Sequence, residues 1–153
     1  MSHTADREIV LSRLLDAPRE LVFSVWTDPR HVAQWWGPNG FTNTVTEMDV
    51  RPGGTWRLMM HGPDGTDYPN KIVYLEVVKP ERLVYQHGSD DSMEDAFHVT
   101  VTFETQGRRT LVTLRTLFQS AAARDFVIKE HGAIEGGQQT LARLSAYLEG
   151  LAS

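Results

Sequence analysis

The sequence contains no cysteine, no long apolar run and no excess of basic residues. Without Cys, a disulfide framework, a thiol nucleophile and a thiolate metal site are excluded. No stretch approaches the ~18 apolar residues of a membrane helix, and residues 1–8 lack the apolar centre of a secretory signal. The formal net charge is −5, which disfavours a nucleic-acid partner. We therefore expect a cytoplasmic protein that neither inserts into membranes nor binds nucleic acid.

Several sequence motifs that carry chemistry are also missing. The six His residues show neither HxH nor HExxH spacing, so we predict no metal site. The glycine-rich nucleotide signatures and G-x-S-x-G are absent, and we predict no cofactor. Residues 88–95 are polar and acidic without the spacing of a calcium loop, and we expect them to form a mobile, solvated loop.

What is present is the composition of an ordinary globular protein. Of the 153 residues, 41% are apolar and 23% are charged. A chain of this length can bury one sizeable core and leaves little room for two. We expect a single domain over residues 1–153, with residues 1–6 frayed.

Hydrophobic periodicity predicts one strand, two short helices, about six further strands and one long helix. The predicted strands are 7–16, 42–50, 56–61, 70–78, 82–87, 97–104 and 110–118. The predicted helices are 18–27, 31–36 and about 122–150. Asp28 is suited to cap the second helix, with Pro29 at its first position. Segregated strands with short links favour an α+β fold with an antiparallel sheet.

Three glycines, Gly132, Gly136 and Gly137, fall inside the predicted long helix, where each costs roughly 1 kcal/mol relative to Ala. One interpretation is fraying or a kink near residue 131. A second is that the missing side chains leave space between helix and sheet, which a ligand cavity needs. A third is a close contact between helix and strand without a cavity.

A series of motifs carries a resemblance to a known family. The motifs are Asp16-Ala17-Pro18-Arg19-Glu20-Leu21-Val22-Phe23, Trp26-Thr27-Asp28-Pro29, Trp35-Trp36-Gly37-Pro38, Arg51-Pro52-Gly53-Gly54-Thr55-Trp56-Arg57 and Lys79-Pro80-Glu81-Arg82-Leu83-Val84. Over about residues 7–150 the chain resembles the bacterial proteins related to the C-terminal domain of the activator of the ninety-kilodalton heat-shock-protein ATPase. These proteins belong to the START-like (SRPBCC) helix-grip superfamily.

The resemblance implies a fold more firmly than a function. It implies a curved antiparallel sheet that grips a long C-terminal helix, with a deep cavity between them. The superfamily includes carriers of lipids and hormones, polyketide cyclases, oxygenase domains and a co-chaperone domain. The matched motifs lie at turns and short helices, so they transfer no catalytic residue to this chain.

We therefore predict a module that binds a small, largely apolar molecule in this cavity. The predicted ligand contacts are Trp36, Phe41, Trp56, Met60, Tyr74, Tyr85, Phe97, Val99, Val101, Ile134, Gly137 and Leu141. Possible polar contacts are Glu47, Arg57, His61 and His87. Because a buried Arg needs a carboxylate partner, we expect Glu47 and Arg57 to pair across neighbouring strands.

Two other classes of function stay open. A cavity-based enzyme, of cyclase or hydratase type, requires a buried titratable group with a perturbed pKa in the cavity. A protein-interaction module, such as a co-chaperone-like protein or a homodimer, predicts a large exposed apolar patch.

Overall fold

A computed structural model of the protein describes residues 5–89 and 92–152. After a 3-10 turn at Ala5–Arg7, the described residues form seven strands and four helices. The strands are β1 (Glu8–Leu15), β2 (Thr42–Met48), β3 (Thr55–His61), β4 (Asp67–Val78), β5 (Arg82–Ser89), β6 (Ser92–Gln106) and β7 (Arg109–Leu117). The helices are α1 (Arg19–Thr27), α2 (Pro29–Trp35), α3 (Ala121–His131) and α4 (Ala133–Ala152).

All seven strands belong to one antiparallel sheet in the order β1-β7-β6-β5-β4-β3-β2. The first strand therefore lies beside the last, and β2 forms the opposite edge. The ladder shifts register between Val45 and Glu47 and between Tyr74 and Glu76. Such bulges bend a strand and increase its twist. The predicted α+β class with a curved antiparallel sheet is confirmed.

The first short helix begins one residue after its predicted start, and the second begins directly after the predicted cap, two residues before the predicted range of 31–36. Asp28 is the N-cap of α2, its carboxylate accepts the backbone N–H of Arg30 at 2.9 Å, and Pro29 is the first helical residue. The Trp35 indole donates to the carbonyl of Val25 at 3.1 Å. Because Trp35 belongs to α2 and Val25 to α1, this bond joins the two helices. The indole nitrogen acts only as a donor.

The core lies between the inner face of the sheet and these helices. Trp26 of α1 is at its centre, with edge-to-face ring contacts to Trp35 at 4.9 Å and to Phe103 at 5.6 Å. Trp56 and Ile72 on neighbouring strands are fully buried below them. These aromatic residues fill the end of the sheet under α1 and α2.

The helix predicted over about 122–150 is divided into α3 and α4, because the chain breaks at Gly132. This residue caps α3 with a left-handed backbone (φ 58°), and α4 starts immediately after it. Glycine adopts that conformation without the steric cost of a Cβ atom. The kink predicted near residue 131 is thereby confirmed, and α4 is the long helix that crosses the sheet.

Other boundaries also differ from the prediction. The predicted loop over 88–95 is wrong at both ends, because β5 continues to Ser89 and β6 starts at Ser92, where the two residues pair. Asp90 and Asp91 lie outside the described residues. Of the segment predicted to be frayed, residues 5 and 6 belong to the 3-10 turn, and residues 1–4 lie outside the described part.

Candidate functional site

A cavity of about 370 Å³ lies between α4, the loop after α2 and the inner face of the sheet. Its walls are almost entirely apolar. They are formed by Ile9, Leu11, Trp26, Trp36, Gly37, Pro38, Met60, Tyr85, His87, Phe97, Val99, Leu114, Thr116, Phe118, Ala133, Gly136, Gly137, Thr140 and Leu141. The volume lies within the range of small-molecule sites.

Larger hollows of about 530, 600 and 800 Å³ are open depressions of the surface. The cavity under α4 is different, because its walls are side chains that bulk water hardly reaches, such as Trp26, Tyr85 and Leu141. It adjoins the 600 Å³ groove, with which it shares Pro38, Met60 and Gly136. We therefore take the cavity as the candidate site and the groove as its approach.

Two helix glycines form part of the cavity roof. A Cβ atom at Gly137 would collide with the end of the Leu11 side chain on β1, and one at Gly136 would lie 3.3 Å from Pro38. Both residues also line the cavity. The interpretation that the missing side chains leave space between helix and sheet is therefore supported, and at Gly137 the helix also approaches β1 closely.

The loop after α2 is held in place by one side chain of α4. The Arg143 guanidinium donates to the carbonyls of Trp36 at 3.0 Å, Gly37 at 2.9 Å, Pro38 at 2.9 Å and Phe41 at 3.0 Å. Burial lowers the pKa of Arg143. A planar fork of donors is suited to gather several carbonyls at once. Arg143 thus fixes the loop whose residues close one side of the cavity.

His87 on β5 is the titratable imidazole of the cavity wall. Its Nε2 lies 2.8 Å from Oδ1 of Asn70 on β4, and its ring contacts Phe97 at a centroid distance of 4.8 Å. Burial lowers the pKa of His87 from its ordinary value of 6.5 to about 4. The part of the ring that stays accessible borders the cavity. At neutral pH the imidazole is therefore uncharged.

Two further polar groups lie in the same wall. The Trp26 indole N–H is buried and has no hydrogen-bond partner among the described residues. Burial is the larger effect on the Tyr85 hydroxyl and raises its pKa. The nearby Trp26 indole has a smaller, opposite effect on that pKa, although its N–H makes no hydrogen bond. The Tyr85 hydroxyl therefore keeps its proton. A buried donor without a partner costs about 1–3 kcal/mol.

The structure brings many of the predicted contact residues to this cavity. Those that line it are Trp36, Met60, Tyr85, His87, Phe97, Val99, Gly137 and Leu141. Contact between these residues and a ligand stays a prediction.

Other predicted residues lie elsewhere on the inner side. Trp56, Tyr74 and Val101 are fully buried in the packed core instead of the cavity wall. Phe41 lines the outer groove, where its ring lies 5.9 Å from that of Tyr68. Ile134 on α4 is half-buried but is not part of the cavity wall.

Three of the predicted polar contacts face away from the cavity. The predicted Glu47–Arg57 pair is confirmed at 3.4 Å across β2 and β3. On β3, however, Trp56, Leu58 and Met60 point inward, so Arg57 and His61 point outward. His61 pairs there with Asp67 at 2.7 Å and with Thr44 at 2.8 Å.

Sequence reasoning missed several wall residues. For Trp26, nothing in the spacing distinguishes an indole packed in the core from one at the edge of a cavity. The alternation of β1 and β7 contained a usable signal for Ile9, Leu11, Leu114 and Thr116, which face the same side. Arg143 was missed because its partners are carbonyls of a loop that is distant in sequence.

Within residues 5–89 and 92–152 no group of three His, Asp or Glu side chains is placed to hold a metal ion. In the same part of the chain no helix has the length and apolarity needed to span a bilayer. The polar side chains of the cavity wall are those of His87, Tyr85 and Trp26, beside Thr116 and Thr140.

Comparison with known proteins identifies a family and a set of similar structures. The family model described as "Activator of Hsp90 ATPase homolog 1-like protein" matches residues 16–149. No significant match was found among curated proteins.

Solved structures share the fold over nearly the whole chain. A crystal structure of a Mycobacterium smegmatis protein is 26% identical, covers 95% of this chain and 92% of its own, and has a TM-score of 0.84. A solution structure from Arthrobacter aurescens is 25% identical, with coverage of 98% and 90% and a TM-score of 0.88. A crystal structure from Chromobacterium violaceum is 29% identical, with coverage of 92% and 95% and a TM-score of 0.77.

Proposed function

This chain belongs to the family of Activator of Hsp90 ATPase homolog 1-like proteins, and we propose that it binds a small, largely apolar molecule in the cavity under α4. The observation that carries the proposal is the unfilled, mostly apolar space of about 370 Å³ inside an otherwise packed domain. A core of this kind normally fills its volume to the density of an organic crystal. A retained space bordered by Trp26, Trp36 and Leu141 supports a role in binding.

Apolar burial would supply the binding free energy. Each Å² of apolar surface removed from water contributes about 25 cal/mol. Apolar side chains line the cavity from Met60 and Trp36 near the groove to Leu114 and Val99 on the sheet. The polar groups are few, and they would fix the orientation of a ligand more than its affinity.

Fluorescence titration with naphthalene tests the proposal directly. Trp26 and Trp36 line the cavity, so an aromatic guest should quench the emission of the folded protein saturably. In Thr116→Phe a phenyl ring would project from β7 into the cavity, and we expect the saturable quenching to disappear. Thr113→Phe is the matched control, since Thr113 lies on the same strand and its side chain points to the other face.

If Thr116→Phe folds and still binds naphthalene as the wild type does, the guest lies elsewhere and the proposal is overturned. Native mass spectrometry of freshly purified protein adds an independent measurement. A co-purified apolar molecule in the wild type that is absent from Thr116→Phe supports the cavity as its site.

A cavity-based enzyme is the second candidate, and His87 is the observation that favours it, because it provides the titratable group that such an enzyme requires. A group with a pKa of about 4 is a weak base near neutral pH, which is why binding is our first proposal. Conversion of the co-purified molecule into a product of different mass during incubation would favour the enzyme.

A role in protein interaction has less support. The exposed large apolar side chains, including Val10 and Leu14 on β1 and Phe126 on α3, are divided among several elements. The homodimer stays a prediction that sedimentation of the purified protein tests.

A further inference from the structure

A chain of hydrogen bonds fixes the orientation of the Asn70 amide beside the cavity. Asn70 Nδ2 donates to the backbone carbonyl of Tyr68 at 2.9 Å. A carbonyl only accepts, so the amide nitrogen must occupy this side. The other amide atom, Oδ1, therefore faces His87 Nε2 at 2.8 Å. The usual ambiguity of an Asn side chain is thus resolved by its backbone partner.

The same chain determines the tautomer of His87. Because Asn70 Oδ1 only accepts, His87 Nε2 must carry the hydrogen that joins them. A neutral imidazole has one N–H, so Nδ1 holds a free lone pair. Among the described residues no donor reaches Nδ1, and it is not one of the atoms sealed from all solvent. Since His87 borders the cavity, Nδ1 is an acceptor available to a guest.

A donor lies in the same wall as His87. The Trp26 indole N–H is sealed from solvent, so a guest does not reach it. The Tyr85 hydroxyl is close to it and is protonated. Tyr85 and His87 are two residues apart on β5, so their Cα atoms are about 6.6 Å apart on one face. Donor and acceptor therefore point to different parts of a guest.

No charged side chain lines the cavity within the described parts of the chain. An ionised guest would therefore lose its hydration without gaining a counterion, which is costly in an apolar site. An uncharged guest avoids this cost.

We propose that the cavity selects an uncharged apolar molecule with a hydroxyl or similar donor for His87 Nδ1 and a separate acceptor, such as a carbonyl, for the Tyr85 hydroxyl. Asn70 acts as a positioning residue that holds the imidazole in its accepting form. This inference rests on the proposed binding function and specifies the class of ligand.

Matched naphthalene derivatives test the two polar positions by titration calorimetry. The probes are naphthalene, 2-naphthol, 2-methoxynaphthalene, 2-acetylnaphthalene and 2-naphthoate. One neutral hydrogen bond should let 2-naphthol bind about five- to tenfold more tightly than 2-methoxynaphthalene, which lacks the donor. The acceptor of 2-acetylnaphthalene should give it a similar advantage over naphthalene, and the anionic 2-naphthoate should bind most weakly.

His87→Phe should abolish the preference for 2-naphthol while naphthalene still binds. His98→Phe is the matched control, because His98 lies on β6, where it borders the depression on the outer face of the sheet, and this variant should keep the preference. Equal binding of 2-naphthol and 2-methoxynaphthalene to the wild type would overturn this inference and leave the apolar cavity intact. Failure of every probe, naphthalene included, would overturn the proposed function itself.

The tautomer can be measured without any ligand. Long-range ¹H–¹⁵N correlation spectra of the wild-type protein should show His87 protonated at Nε2 alone. In Asn70→Ala, which removes the acceptor, we expect a mixture of both tautomers. A wild-type spectrum with the hydrogen on Nδ1 would overturn the inference, and it does not depend on the folding of a variant.

Discussion

The inner face of the sheet is covered by α1 and α2 at one end and by α4 at the other, and the two ends differ in how completely the helices fill the space above the strands. Under α1 and α2, Trp26, Trp35 and Phe103 pack edge to face without an intervening void. Under α4, Gly136 and Gly137 leave room above Leu114 and Val99. Both ends use the same strands with the same inward alternation. The difference shows that the helices, more than the sheet, decide where this fold keeps a cavity.

Two phenylalanines of β6, Phe97 at the cavity and Phe103 in the packed core, provide the sharpest test of this contrast. The largest expected change in stability is at Phe103. Phe103→Ala should lower the free energy of unfolding by about 3–5 kcal/mol, because tight neighbours cannot collapse into the hole. Phe97→Ala should cost about 1–2 kcal/mol, since that ring is half-buried and borders space that already exists. Urea denaturation measures both, and equal losses would show that the two ends are packed alike.

The cavity end should also respond to pH through His87. The folded state has a pKa of about 4 against an ordinary value of 6.5, so between these values the unfolded chain binds more protons. Stability is therefore complete above about pH 6.5 and falls as the pH drops toward 4, by roughly 2–3 kcal/mol.

The variant His87→Phe isolates this contribution from the other titrating groups. Urea denaturation at about pH 7 and pH 4.5 should show a smaller loss in the variant than in the wild type. An identical loss in both proteins would mean that His87 is solvated as freely when folded as when unfolded.

Arg143 should matter for the loop that closes the cavity. Arg143→Met removes the side-chain donor of the carbonyls of Trp36, Gly37 and Pro38. Trp36 keeps the Asn43 amide and Pro38 keeps the backbone N–H of Phe41, and we expect a loss of about 1–2 kcal/mol. Limited proteolysis should then cut within the loop at residues 37–40 faster than in the wild type. Arg13→Met, at an exposed position on β1, is the control that should leave the loop protected.

The smallest effect is expected at the glycines of α4. Gly150→Ala places its Cβ in open space and should stabilise the protein by up to about 1 kcal/mol. Gly137→Ala has the same gain in helix propensity but must displace Leu11 toward the cavity, so the two contributions should nearly cancel. Thermal unfolding compares the variants, and Gly137→Ala should also bind naphthalene more weakly. Equal stabilisation at both positions would exclude a close helix–strand contact.

The candidate site was predictable in part. Regular alternation along β5 and β6 correctly brought Tyr85, His87, Phe97 and Val99 to one inner face. The same alternation includes Val101, yet that residue lies under α1 and not in the cavity. Whether an inward residue lies in the cavity or in the packed core depends on which helix covers its part of the strand. That helix is distant in sequence, so no local pattern predicts the difference.

The sequence by itself determined the seven strands, the capped start of α2 at Asp28 and Pro29, and the α+β class, because each depends on neighbouring residues. Only the tertiary structure decided which faces of β3 and β7 point inward, that α4 passes close to Leu11, and that His87 borders the cavity. A cavity is the volume that remains when distant elements meet. Its shape therefore depends on contacts between residues far apart in the chain, which local periodicity does not specify.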